Sequence, residues 1–339
     1  MKIKVGIVGY GNVGKAVESV VNKDKGFELV GIFSRRDTSV LSSPFGTRFF
    51  SQKTLLDDVF DRQIDVLMLC VGSAFDLEKI ALNLAVRYST VDSFDNHTRM
   101  QEYLGDLNTV CKMSETLALV GCGWDPGIFS LERALLESVM PNCALNTFWG
   151  RGVSQGHSEA IRRLDGVKYA TQYTIPKLSA IEMARQGKSG FSVRDKHERE
   201  CFVVLDPARY YGKAKSEISA EDIQALEHKI TQEIVTMPDY FAEYDTTVHF
   251  VSEQEYLAKH TKMRHAGQVI AVDKQGNDGL SQAEFRLTLD SNPYFTAQVM
   301  VACACANYRI KQAGETGAKT ILDVPVKYLT KDGDGLQYV

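Results

Sequence analysis

The amino-acid sequence predicts an α/β fold: a doubly wound parallel sheet in the N-terminal part, joined to an α+β region with a mostly antiparallel sheet. Three observations carry that expectation. Short apolar strands alternate with helices over the first 120 residues, the order that builds parallel sheets. The run Gly9-Tyr-Gly-Asn-Val-Gly14 falls where the first strand gives way to the first helix. After about residue 125 the pattern changes, to segments that look like strands of a different sheet with helices interspersed. A chain of 339 residues has room for about two such domains and for a sizeable core.

In chain order, Lys4–Val8 reads as the first strand, and the helix after Gly14 carries Val13, Val17, Val20 and Val21 at helical spacing. Glu28–Phe33 is a second strand. Ile64–Cys70 is a third, nearly all apolar, as a strand covered on both faces should be. Asp76 is placed to cap a helix bearing Ile80, Leu84 and Val86. Ser89–Asp92 and Thr116–Val120 are short strands around a helix near 97–112. Farther on, Glu200–Leu205, Thr246–Val251 and Ala283–Leu289 read as strands of a different sheet. In the last, Ala283, Phe285, Leu287 and Leu289 should face a core, with Glu284, Arg286 and Thr288 in water. Ser179–Glu182 has the spacing of a capping box, and so does Ser219–Asp222. Residues 295–313 read as a final helix stopped at Gly314.

Composition narrows the function classes. Hydrophobic residues make up 44% and charged residues 24%, an ordinary globular balance. The formal net charge is −4, so no global basic field for nucleic acid exists. The strongest apolar run near the C-terminus, Val299–Ala306, is far shorter than the roughly 20 residues of a membrane span. Met1-Lys2 leads straight into a strand, without the apolar stretch of a signal peptide. Seven cysteines without a CxxC pattern suit free thiols in a reducing cytoplasm, and His157, His249, His260 and His265 form no credible metal set. Cys303 and Cys305 read as small core residues on a helix.

The glycine run is the first functional signal. Between a strand and a helix it lets backbone approach a pyrophosphate, and the helix N-terminus supplies N–H groups and positive dipole. A dinucleotide is the expected ligand; a purely structural turn is the alternative. An NAD enzyme usually places a carboxylate about 20 residues farther on. Here that position holds Ser34, followed by Arg35 and Arg36, whose guanidinium forks match a 2′-phosphate. NADP is favoured, and Asp37 keeps NAD open. Cys70-Val-Gly-Ser73 ends another strand at the sheet edge where such ligands bind. Asp92–His97 and Gly121–Gly127 follow the next two strands, so Asp95 and Asp125 both stand at that edge. Two carboxylates beside a nicotinamide suggest a cationic substrate group such as an ammonium; the competing reading makes each a turn former. Phe148–Ser158, Gly-rich with aromatic and polar groups, reads as a substrate-lining loop or a linker.

Taken together these segments resemble the meso-diaminopimelate D-dehydrogenase family. The resemblance also rests on Thr147-Phe-Trp-Gly150, Ser154-Gln-Gly-His-Ser158, Gln172-Tyr-Thr174, Arg199–Val204, Thr236–Phe241 and Asn292-Pro-x-Phe-Thr296. It covers most of the chain, while residues near 207–233 and 274–281 look longer than in short members. It implies a Rossmann-type dinucleotide-binding domain over 1–125 and a substrate-binding and dimerisation domain over 126–293. Residues 294–339 are expected to pack back on the first. The implied reaction is reversible NADP-dependent oxidative deamination at the D-centre of meso-2,6-diaminopimelate, giving L-2-amino-6-oxopimelate and ammonia, in a cytoplasmic homodimer that serves lysine and cell-wall synthesis.

Carried over position by position, the resemblance implies cofactor contacts at Tyr10, Gly11, Asn12, Val13, Ser34, Arg35, Arg36, Cys70, Val71, Gly72, Ser73, Ser93, Phe94, Asp95, Cys122, Gly123, Trp124, Asp125 and Pro126. It implies substrate contacts at Asp95, Asp125, Trp149, Gln155, Gly156, Thr174, Arg199, His265 and Asn292. Asp95, Asp125 and His157 are the candidates for the base that deprotonates the reacting ammonium. Two other readings compete: another two-domain NADP oxidoreductase of the lysine pathway, and a catalytically inactive nucleotide-sensing module.

Overall fold

A computed structural model describes residues 2–60, 63–72, 76–275 and 279–339. The chain divides into two compact units, Met1–Ala134 with Pro293–Val339, and Leu135–Asn292. The division falls inside helices at both crossings, at 134/135 and 292/293.

The first unit is built on a seven-stranded sheet. Its strands are β1 (Ile3–Val8), β2 (Phe27–Ser34), β3 (Phe49–Ser51), β4 (Val66–Leu69), β5 (Ser89–Asp92), β6 (Leu117–Val120) and a C-terminal strand Gly317–Thr320. The spatial order is C-terminal strand–β6–β5–β4–β1–β2–β3, and every pair is parallel. The chain runs outward from β1 through β2 and β3, then returns to β4 on the other side of β1. That reversal is a topological switch point, where a crevice opens at the carboxyl ends of the strands. β4, β5 and β6 are buried along their whole length because helices cover both faces. On one face α1 (Asn12–Lys23) packs with a long C-terminal helix, Asn292–Gln312, around Val5, Ile7, Met68 and Met300. On the other, α2 (Leu77–Ala85) and α3 (Met100–Met113) pack around Leu67, Leu69, Phe94 and Leu107. Cys303 is fully buried in the first of these cores and Cys305 lies against it. Gly314, at φ 88°, follows the end of the long helix.

The second unit holds two further sheets. β7 (Ala144–Trp149), β8 (Gly152–Val153), β9 (Val167–Pro176), β10 (His197–Leu205), β11 (Asp245–Phe250), β12 (His265–Gln275) and β13 (Gly279–Leu289) form the arrays β11–β10–β9–β8 and β13–β12–β7. All pairs are antiparallel except β10–β11. The crossover between those two strands carries the helix Ala220–Val235, opened by the Ser219/Asp222 capping box. Its Leu226, Ile230 and Ile234 recur every four residues and pack on Ala170, Cys201 and Val203. The helix Leu178–Arg185 covers the other sheet through Ala180, Ile181 and Ala184.

Four local expectations need correcting. Asp76 stands at the N-cap of α2, but its side chain caps nothing and pairs with Arg35. Ser179 and Glu182 form no capping box, because the helix starts two residues earlier than that spacing requires, with Lys177 as its cap; Glu182 pairs with Arg185 instead (2.6 Å). On β13 only Leu289 is fully buried, while Ala283, Phe285 and Leu287 are half-buried. The helix expected near 97–112 begins at Met100, because Asn96–Arg99 form a turn. Among the described residues no helix is long and apolar enough to cross a membrane.

Candidate functional site

The glycine loop has the shape a pyrophosphate needs. Gly9 sits at φ 92°, a conformation that L side chains rarely adopt. A β-carbon on Gly14 would lie 2.2 Å from the Gly9 carbonyl oxygen, so only glycine lets α1 pack this close to the loop. A β-carbon on Gly11, the N-cap of α1, would meet nothing within 4 Å. That open space lies where the first N–H groups of the helix point outward, which fits a bound dinucleotide. Asn12 and Val13 form the first turn. Tyr10 is buried; its hydroxyl donates to Glu18 (2.5 Å), and burial with that carboxylate raises its pKa to about 12.

The two arginines differ. Ser34 is buried and its Oγ accepts the Arg36 N–H (3.1 Å), a turn that ends β2 and presents both guanidiniums. Arg36 donates to the Tyr10 carbonyl and is tied to the glycine loop. Arg35 is exposed and forks onto Asp76 (3.0 and 2.5 Å), which holds the Asp76 carboxyl below its usual range. Cys70 is buried at the end of β4, with its N–H on the Val8 carbonyl (2.7 Å), and burial pushes its thiol up. Val71 and Gly72 follow it to the surface; Ser73 lies outside the described residues.

The carboxylates follow the next two strands. Ser93 is half-buried, Phe94 fully buried against Tyr103 (4.4 Å between ring centroids), and Asp95 exposed. In the Cys122–Pro126 turn, Trp124 packs edge-on against Phe129 (5.1 Å), and the Asp125 carboxylate is only 3% exposed. Arg133, from the helix Ile128–Val139, forks onto Asp125 (2.6 and 3.2 Å). Asp92, just before this pair of loops, is fully buried. Burial lifts its pKa to about 6, against the pull of bonds from Tyr103, Phe94 and Gly121.

The second unit gathers a different constellation. Register places Gly152, Thr174 and Arg199 in one row across β8, β9 and β10. Arg199 is 7% exposed; it donates to Thr174 Oγ1 and lies 3.9 Å over the Tyr244 ring. Among the described residues its Nε has no hydrogen-bond partner, nor has Gln172 Oε1 on β9. Burial lowers its pKa, yet a guanidinium stays charged. Three histidines surround this region in neutral form. His157 is pulled down to about 4 by burial and then by the Arg199 charge; its Nδ1 faces Ser154 Oγ (2.7 Å) and its other nitrogen serves the Tyr240 carbonyl. His197 falls to about 3, chiefly by burial, and its Nε2 accepts the Trp149 N–H (2.9 Å) while its ring stacks on Trp149 (5.4 Å). His265 falls to about 4 through burial, and its Nδ1 lies 2.9 Å from both the N–H and the carbonyl oxygen of Ala266. A β-carbon on Gly152 would lie 2.4 Å from the His265 ring, so that glycine admits the imidazole. Gln155 and Gly156 are exposed on the first turn of the helix Gln155–Arg162. Asn292 is half-buried and donates its N–H to the Met263 carbonyl (3.0 Å).

Comparison with known proteins decides the family. The model of the diaminopimelic acid dehydrogenase C-terminal domain matches residues 123–291. Meso-diaminopimelate D-dehydrogenase of Lysinibacillus sphaericus is 44% identical over 331 residues, covering 97% of this chain and 95% of that one. The chain belongs to the meso-diaminopimelate D-dehydrogenase family. Among solved structures it resembles the Corynebacterium glutamicum DAP dehydrogenase in complex with DAP (39% identity, TM-score 0.86, 97% and 96% of the two chains). It also resembles an engineered D-amino acid dehydrogenase bound to NADP+ (38% identity, TM-score 0.82, 98% and 97%). The structure places beside the candidate site residues three that sequence reasoning missed. Arg133, Tyr244 and His197 all touch candidate site residues. Arg133 alone had a local signal: it lies eight residues past Asp125 on an adjoining helix. Tyr244 and His197 meet their partners only through strand pairing and tertiary packing.

Proposed function

We propose that this enzyme catalyses the reversible oxidative deamination of meso-2,6-diaminopimelate at its D-centre with NADP, giving L-2-amino-6-oxopimelate and ammonia. The observation that supports this best is Arg199, a buried guanidinium held by a hydroxyl and an aromatic face, with Nε unpartnered. Such a cation needs an anion, and a substrate carboxylate supplies one. Thr174 orients the guanidinium, His265 and Asn292 complete the donor set for that remote carboxylate, and Trp149, Gln155 and Gly156 wall the substrate. Asp95 and Asp125 receive the reacting ammonium. Asp95, or a water it orients, Asp125 and His157 are the candidate bases for the ammonium proton; Arg133 engages Asp125, and Ser154 and the Tyr240 backbone engage His157.

The glycine loop would hold the pyrophosphate, and Ser34 with Arg35 and Arg36 the 2′-phosphate; Arg35 would exchange Asp76 for that phosphate. Cys70, Val71, Gly72, Ser73, Ser93, Phe94 and Cys122–Pro126 would border the nicotinamide end. Bound NADP supplies the hydride acceptor. The same reading makes the enzyme a cytoplasmic homodimer; its seven cysteines are all free thiols, which suits a reducing compartment. Light scattering after gel filtration tests the dimer. The activity is tested by NADP reduction with meso-diaminopimelate, its LL isomer and D-lysine. Oxidation of the meso isomer alone, with ammonia required for the reverse reaction, is expected. No turnover with the meso isomer refutes the proposal.

A further inference from the structure

Asp92 ends β5 with its side chain fully buried and every oxygen engaged. Oδ1 accepts the Phe94 N–H (3.0 Å) and the Gly121 N–H (3.3 Å). Oδ2 accepts the Tyr103 hydroxyl (2.7 Å), and the main-chain carbonyl accepts the Cys122 N–H (2.7 Å). An aspartate that merely ended a strand would take the amide two residues on and nothing more. Here the same carboxylate also takes an amide from the loop after β6, and a phenol from α3 steadies it. Phe94 directly precedes Asp95, and Gly121-Cys122 opens the turn that carries Asp125. One buried acceptor therefore anchors both loops.

We propose that Asp92 is a positioning residue that sets the spacing of Asp95 and Asp125, and so the placement of the reacting ammonium. The proposal rests on the diaminopimelate reading above. Asp92 does not touch the substrate; it acts through the two loop backbones. A negative charge suits an anchor of this kind, because amide and phenol donors favour a carboxylate acceptor and burial keeps water from competing for them. Misplacement of a binding group by about 1 Å can cost about 100-fold in rate.

The test uses the whole enzyme and three variants. Asp92→Ala removes the anchor. Asp92→Asn keeps an oxygen for both amides and turns its NH2 toward the Tyr103 hydroxyl oxygen. Tyr103→Phe removes one donor only. In Asp92→Ala, amide exchange in residues 93–97 and 121–127 should rise together by at least about tenfold. Single-turnover hydride transfer, at saturating NADP and diaminopimelate, should fall about 100-fold, with a larger substrate deuterium isotope effect on turnover. Asp92→Asn should restore transfer to within about fivefold of the unmodified enzyme. A merely structural residue would lower melting temperature and leave transfer and isotope effect alone. That result overturns the proposal, as does equal damage in the Asn and Ala variants. If Asp92→Ala does not fold, Tyr103→Phe decides: faster exchange in both loops supports the proposal, and faster exchange in one or neither overturns it. Failure of the unmodified enzyme to oxidise diaminopimelate refutes the functional reading instead, and the exchange measurement still judges Asp92.

Discussion

Replacing Arg199 by Met separates substrate recognition from folding. The guanidinium is 7% exposed, sits 3.9 Å over Tyr244 and donates to Thr174, while its Nε has no partner. Folding this site buries a charge without a full set of acceptors, which opposes stability. Met has similar length and flexibility and fills the same volume with no charge to desolvate. Loss of the cation–π contact and one hydrogen bond offsets part of that gain, so unfolding free energy should stay level or rise by about 1–2 kcal/mol. Catalysis should move the other way. Deleting one partner of a desolvated charge pair costs about 2–5 kcal/mol, or roughly 30- to several-thousand-fold in kcat/KM for diaminopimelate. D-amino acids with apolar side chains should gain relative to diaminopimelate, because they no longer face an unsatisfied cation. Thermal unfolding and steady-state kinetics on one preparation give both numbers. Diaminopimelate kcat/KM within tenfold of the unmodified enzyme would remove Arg199 from the pocket. A fall in melting temperature of more than a few degrees would make it a structural residue.

Three more outcomes follow from the same geometry. Arg35→Ala with Arg36→Ala should weaken NADP by at least about tenfold and leave NAD nearly unchanged, since charge-assisted bonds contribute about 1.5–3 kcal/mol and Arg35 is exposed; calorimetric titration with both cofactors checks this, and equal losses refute it. Asp95→Asn should lower single-turnover hydride transfer by at least about tenfold with NADP affinity nearly intact; normal transfer with only a raised KM would make Asp95 a binding group and move the base to Asp125, His157 or water. Stability should fall between pH 6.5 and about 4: folding holds His157, His197 and His265 neutral, with pKa values of about 4, 3 and 4, while the unfolded chain takes up protons below about 6.5. Asp92, raised to about 6, works in the opposite sense over part of that window, but one carboxyl stands against three imidazoles. Denaturant titration at pH 7.5 and pH 5 measures the difference, and equal or greater stability at pH 5 contradicts it.

What the sequence makes legible here is local. Gly9 and Gly14 announce themselves because one needs a positive φ and the other a missing β-carbon, constraints that act within six residues. Asp95 and Asp125 are readable because parallel strands deliver their following loops to one sheet edge. Partners chosen by packing are not readable. Tyr244 reaches Arg199 only because β11 pairs parallel with β10 after a crossover of two helices, and no periodicity near residue 244 signals that. Asp76 reads as a cap because its spacing to an apolar helix is right; a guanidinium from a different strand end competes for the same oxygens and wins. Ser179 caps nothing for a related reason. The two residues before Ser179 leave β9 and enter the helix without needing its hydroxyl. The half-buried face of β13 shows that alternation reports the orientation of side chains, not the depth of what covers them.

On the proposed reading, three neutral histidines around Arg199 would keep the substrate site selective. His197 has a ring nitrogen that accepts a backbone N–H, and His157 has one beside a hydroxyl, arrangements that suit neutral imidazole. Burial then keeps all three uncharged at neutral pH. Had any of them been lysine or a charged histidine, the anion demanded by Arg199 could be shared among several cations, and any small acid would satisfy the site. With neutral neighbours, the compensating charge must arrive on the substrate at the position Arg199 and Thr174 define. Acidification should therefore blunt discrimination only near pH 4, where protonating His157, whose pKa burial and then the Arg199 charge depress, adds a second cation beside the first. The ratio of diaminopimelate to apolar D-amino acid turnover, followed from pH 8 down to 5.5, should hold steady while all three imidazoles remain neutral. A ratio that already collapses between pH 8 and 7 would mean that a group other than these histidines controls recognition.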